Sequence, residues 1–201
     1  NVILDTKLIS GPMVKIANNW TETSPLSVAV YSNCDEVALY LNDVLVAKQK
    51  PLINSNSDQL KHPPFLFNLD KFIPGTLRAE GFIDGKKVVS NVVKTPESPS
   101  KIELAYDISS TPINPDFPDM IFVYAKITDA NGTIIPTAAN EVTFSLLEGN
   151  AELIGENPVK AEAGIATIIL KTTHFKKPIT IIASSLNLEN GAIEIKPLLK
   201  N

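Results

Sequence analysis

Apolar and polar residues alternate with a period of two along most of the chain, which is the spacing of strands whose side chains point to opposite faces of a sheet. Leu26, Val28 and Val30 alternate with Ser27, Ala29 and Tyr31, and Val37, Leu39, Leu41 and then Phe65, Phe67, Leu69 repeat the pattern. In the second half Ile121, Val123, Ala125 and Ile127 alternate with Phe122, Tyr124, Lys126 and Thr128. Val142, Phe144, Leu146 and Ile165, Thr167, Ile169 follow the same rule. No long window carries the 3.6-residue stripe of an amphipathic helix, and fifteen prolines scattered through the chain would break most helices. The pattern predicts an all-β protein.

Turn residues punctuate the runs. Asn42-Asp43, Asp84-Gly85 and Asn131-Gly132 each separate two apolar segments with residues that tolerate positive φ, as two-residue hairpins require. The count is about seven short strands in each half, the number of an immunoglobulin-like sandwich. The expected architecture is therefore two tandem antiparallel β-sandwiches of immunoglobulin-like type. The stretch KTPESPSK, Lys94 to Lys101, cannot continue a central strand and reads as a short, stiff linker. It sets the expected domains at 1–96 and 97–201. Leu52 to Pro64 and Ser109 to Asp119 are polar or proline-rich and read as long exposed loops.

Composition narrows the function classes. Across 201 residues, 44% are hydrophobic and 20% charged, an ordinary globular balance. A formal charge of −4, with no basic stripe interleaved with aromatics, argues against nucleic acid as a partner. No apolar run reaches the roughly 20 residues that span a bilayer. The start at Asn-Val-Ile-Leu has neither an initiator Met nor a signal-peptide pattern, and reads as a mature product or a piece of a longer chain. A single cysteine, Cys34, excludes an internal disulfide.

Residues able to carry chemistry are few. His62 and His174 fall in different domains, with no second ligand at metal spacing, so neither metal nor cofactor is expected. Cys34 reads as a space-filling thiol. Glycoside hydrolysis needs two carboxyl groups about 5–10 Å apart across a sugar. Asp35-Glu36, Asp116 with Asp119, and Glu156 with Glu162 are the available clusters, all at strand ends or loops where solvated charge is the ordinary reading. Asp116 and Asp119 lack a regular calcium-loop spacing. Trp20, the single tryptophan, is the candidate for contact with carbohydrate or a neighbouring domain. Its ring can stack on a sugar if exposed, or anchor a core if buried. Asn19-Trp20-Thr21 and Asn131-Gly132-Thr133 match the N-glycosylation pattern.

The segment PMVKIANNW followed by VAVYSNCDEVALYLNDVLVAKQK, Pro12 to Lys50, resembles the β-sandwich domain that follows the catalytic barrel in bacterial glycoside hydrolase family 2 enzymes. The shared pattern is an apolar strand ending in Trp, then V-x-V-Y-S-N-x-D-x-V-x-L-x-L-N-G, with Asp43 in place of the last Gly. Pro63 to Pro96, with Gly-x-Leu-x-Ala-x-Gly at Gly75 to Gly81, continues the likeness. KIELAYD, DMIFVYAKITDANGTIIPTAANEVTFSLLEGNAELIG, EAGIATIIL and PITIIASS resemble the C-terminal immunoglobulin-like domain of the same enzymes. They are also similar to the immunoglobulin-like repeats of bacterial invasin- and intimin-type adhesins. After Ile154-Gly155 the chain has Glu-Asn-Pro-Val where the hydrolases often carry Asp-Asn-Gly-Asp.

The resemblance implies a parent β-galactosidase or related exo-glycosidase, of retaining mechanism, exported to the bacterial periplasm or surface. Its two catalytic glutamates would lie in an upstream barrel, so no position here inherits a catalytic role. The expected function is a non-catalytic accessory region whose partner is that barrel. A carbohydrate-binding module and the stalk of a surface adhesin stand as alternatives.

Overall fold

The structure, a computed structural model, describes residues 11–108, 113–175 and 177–197. The start at Asn1 and the loop positions Ser109 to Pro112 lie outside the described residues. Every regular element among the described residues is a strand, and the chain divides into two compact units, Asn1–Thr95 and Pro96–Asn201.

The first unit holds β1 (Val14–Ile16), β2 (Ser27–Ser32), β3 (Glu36–Leu41), β4 (Val44–Gln49), β5 (Phe65–Asn68), β6 (Thr76–Ile83) and β7 (Lys86–Lys94). They form a three-stranded sheet in the order β1-β2-β5 and a four-stranded sheet in the order β4-β3-β6-β7, with every pairing antiparallel. Between the sheets lie Val28, Val30, Val37, Leu39, Phe65, Phe67, Leu77 and Ala79, the apolar half of each alternation. Each fully buried Leu or Phe of this kind contributes about 1.5–3 kcal/mol.

Two local devices complete the sheets. Asn42 and Asp43 both take positive φ, 49° and 64°, so β3 turns back on itself and β4 must pair with β3. β5 is an edge strand, and the Gln49 side-chain amide donates to its Leu66 carbonyl at 2.6 Å. At the opposite edge of the other sheet, β7 carries Lys86, Lys87 and Lys94 at its ends, while the Ile16 amide of β1 donates to Asn91 Oδ1 at its middle (2.9 Å).

The second unit holds β8 (Lys101–Asp107), β9 (Met120–Thr128), β10 (Glu141–Glu148), β11 (Ala151–Ile154), β12 (Val159–Lys160), β13 (Ile165–Thr172), β14 (Ile179–Ser184) and β15 (Gly191–Ile195). The sheets run β11-β13-β9-β8 and β12-β10-β14-β15, all antiparallel. Here the chain leaves β10 through Gly149, at φ 101°, and enters the opposite sheet. The fourth main strand therefore lies beside the first, second and fifth, the constant-type immunoglobulin arrangement, whereas in the first unit it lies with the third. Ile121, Val123, Phe144, Ile168, Leu170, Ile179, Ile181 and Ile195 fill the core.

One expected hairpin is different. After Asn131-Gly132 the segment Thr133–Pro136 makes only an isolated bridge, Thr128 to Ile134, instead of a strand. The Asp129 side chain captures the amides of Asn131 and Thr133 at 2.9 and 2.8 Å, which closes the turn on itself and draws those groups out of a ladder.

Candidate functional site

Trp20 lies in the connection from β1 to β2 and turns its side chain into the first core. Its ring is fully buried (0% exposed), sits 5.1 Å from the Phe72 ring, and donates its Nε1–H to the Ile73 carbonyl at 2.9 Å. No ring face is left for a sugar or for another domain. Of the readings open for Trp20, the buried ring takes that of a core anchor, because a large apolar ring with a satisfied N–H gains more inside than in water. Asn19 beside it is exposed, and Asn131 lies in the turn tied to Asp129.

The carboxylate clusters dissolve into local ties. Asp35 accepts the Asp84 amide at 3.0 Å, and Glu36 pairs with Lys48 at 2.8 Å. Asp119 caps the start of β9 by accepting the Met120 amide at 2.8 Å, and the Asp116 amide bonds Asn114. Glu162 sits beside a tight turn through its backbone, and Glu156 is exposed. His62 and His174 are both exposed. Cys34 is buried, with its Sγ against the Met13 carbonyl. Among the described residues no group of three or more His, Cys, Asp or Glu is placed to hold a metal ion.

Two concavities on the described surface bear on the question of a site. A shallow open cleft of about 330 Å³ in the first unit is lined by Leu41, Val46, Asn68, Leu69, Asp70, Lys71 and Ile73. It holds one carboxylate, Asp70, where hydrolysis of a glycoside needs two. A smaller one, of about 220 Å³, in the second unit is lined by Gly149, Asn150, His174, Phe175 and Lys177, with no carboxylate.

The two buried carboxylates among the described residues, Glu80 and Asp129, line neither of these concavities. Glu80, on the outward face of the first unit, is enclosed between Arg78 and Lys87, the latter at 2.5 Å. Arg78 also reaches Asp43 at 3.0 Å and covers the Tyr40 ring. Asp129 in the second unit accepts the amides of Asn131 and Thr133 on Oδ1 and that of Glu97 on Oδ2, the last at 3.0 Å. Burial pushes its carboxyl upward, but the amide donors of Glu97, Thr133 and Asn131 outweigh that and hold it below its ordinary 3.8. Sequence reading singled out neither residue. The Asp-x-x-Gly spacing at Asp129 was the one available signal.

Residues 102–194 match the family described as glycoside hydrolase family 2 C-terminal domain 5, and residues 23–89 match one described as a domain of unknown function (DUF4982). A β-galactosidase of Thermoanaerobacter pseudethanolicus is 35% identical over 185 residues, or 86% of this chain. The chain belongs to the C-terminal region of glycoside hydrolase family 2. A β-glucuronidase of Formosa agariphila is 25% identical over 93% of the chain. The crystal structure of a β-glycosidase from Bacteroides vulgatus superposes with a TM-score of 0.75 over 92% of the chain at 23% identity.

This C-terminal region spans 24% of the Thermoanaerobacter relative and 20% of the Formosa one. It is an accessory part of such proteins. The described residues contain no helix, and so none of the alternating strands and helices from which a catalytic (β/α)₈ barrel is built.

Proposed function

We propose that this chain is the non-catalytic scaffold of a β-galactosidase-like exo-glycosidase, supporting a catalytic barrel carried by the same polypeptide. The observation that carries the reading is the scattering of its carboxylates. Those singled out from the sequence are tied to neighbouring amides or lysines or lie singly on the surface, and neither cavity presents a pair. In the parent, two glutamates of the barrel act by a retaining mechanism, one as nucleophile and one as acid and base. On the same family analogy the parent is exported to the periplasm or cell surface, which fractionation of the source cells would test.

Turnover of a nitrophenyl β-galactoside provides the main test. The purified 201-residue chain is expected to give none, and the longer polypeptide to give turnover. Hydrolysis by the chain alone, free of host enzyme, would overturn the reading. The alternative of a carbohydrate-binding module rested on Trp20 and the proline-rich loops, and the burial of Trp20 removes the first of these supports.

A further inference from the structure

The two outward faces of the second sandwich follow opposite rules. On the β12-β10-β14-β15 sheet, Glu141, Thr143 and Ser145 of β10, Thr180 and Ser184 of β14 and Glu194 of β15 alternate with core residues, with Ile182, Ala192 and, at the end of β10, Leu147 among them. That is the polar pattern of a sheet face in water. On the β11-β13-β9-β8 sheet the equivalent positions of β9 are Met120, Phe122 and Tyr124, and the first two are 64% and 50% exposed. The register places Ile169 beside Phe122, Ile154 beside Ile169, and Ala105 beside Tyr124. The Phe122 and Tyr124 rings lie parallel within 15°, centroids 6.4 Å apart.

Charges border this patch. Lys171 pairs with Glu152 at 3.6 Å across one end and Lys101 with Glu103 at 3.0 Å across the other, where Lys126 also stands. An aromatic and methionine centre inside a charged rim is the anatomy of a protein–protein contact. A saccharide site would instead spread hydrogen-bonding groups among the rings, whereas here Thr167 beside Tyr124 and Asp107 beside Phe122 flank a centre of Met120, Phe122 and Ile169.

The size of the patch decides between protein partners. Four strands about 4.8 Å apart, over six residues rising about 3.4 Å each, present about 400 Å², or about 800 Å² buried in total. A stable complex of separate chains buries about 1,200–2,000 Å². Domains of one polypeptide meet over about 600–1,500 Å², because the tether keeps them at high effective concentration. We infer that the Met120–Phe122–Tyr124 face is the surface on which another folded domain of the same polypeptide packs. The inference rests on the scaffold reading above and names its docking surface.

Thiol labelling tests it without reference to turnover. Thr167→Cys on this face and Thr143→Cys on the polar face replace exposed residues of one domain, with the buried Cys34 as the shared background. Lys126→Cys serves as a second probe of the patch. In the longer polypeptide the patch thiols are expected to react at least about tenfold more slowly than the Thr143→Cys thiol. In the 201-residue chain all three should react at similar rates. Equal rates in the longer polypeptide would overturn the proposal, even where that polypeptide hydrolyses its glycoside normally. Protection in the short chain that disappears on dilution would assign the face to a second copy instead. Protection conferred only by added galacto-oligosaccharide would assign it to a glycan. Either result overturns the proposal.

Discussion

Trp20 and Asp129 each carry a polar group into a place without water, and each has its partners there. The Trp20 N–H has one acceptor, the Ile73 carbonyl. Trp20→Phe keeps a ring in the cavity and removes that bond, leaving a carbonyl short of a donor. The expected loss is about 1–3 kcal/mol in the first unit, read from urea unfolding by circular dichroism. Asp129 accepts from three backbone amides, and the Thr133 side chain bonds it as well. In Asp129→Asn the amide NH₂ takes the Oδ2 place, because Oδ1 already serves two donors, and it then faces the Glu97 N–H. A cost of about 1–3 kcal/mol follows. The folded carboxyl titrates below its ordinary 3.8, so the native state favours the ionised form. Its contribution is therefore complete above that value and is lost as the pH falls through the lower, folded value. The second unit of the wild-type chain should lose stability below about pH 4 more steeply than Asp129→Asn. Parallel acid-melting curves for the two proteins would contradict the assignment.

At the scale of elements, the turns decide where strands go. Asn42-Asp43 and Asp84-Gly85, with positive φ at both central residues, were legible because few residues accept that backbone. The sheet joined by each fourth strand was not legible. A tight hairpin holds β4 beside β3, while Gly149 redirects β11 across the sandwich, and a three-dimensional crossing has no period along the chain. The choice between a buried and an exposed Trp20 was not decided by the pattern, since one aromatic residue beyond a strand end belongs to no alternation. The outward apolar row of β9 was visible, because Phe122 and Tyr124 break the polar half of their own pattern. Ala163-Gly164 forms another two-residue turn, joining Glu162 to Ile165. A Cβ on Gly164, at φ +78°, would stand 2.3 Å from the Ile135 carbonyl oxygen. Gly164→Ala combines that overlap with a left-handed alanine and should cost about 2–5 kcal/mol in the thermal transition of the second unit. A change below about 0.5 kcal/mol would show that the turn can be rebuilt freely.

For the whole molecule, the two hydrophobic cores share no residue. The single tryptophan belongs to the first of them, so its emission reports that unit. Phe144→Ala empties part of the second core and is expected to cost it about 3–5 kcal/mol. The urea midpoint read from Trp20 emission should stay nearly where it was, while the circular-dichroism transition moves. A Trp20 midpoint displaced by the same amount would show one cooperative unit in place of two. The edge strand β7 bears on a different property, the fate of the protein when it is concentrated. Nine residues of extended backbone at a sheet edge form a template on which a second chain could grow a fibre. Asn91 occupies the middle of that edge through the Ile16 amide, and lysines repel a like strand at its ends. Chemical neutralisation of those amines, as in cyanate-aged urea, would therefore turn a clear solution of this protein into one that seeds its own precipitation.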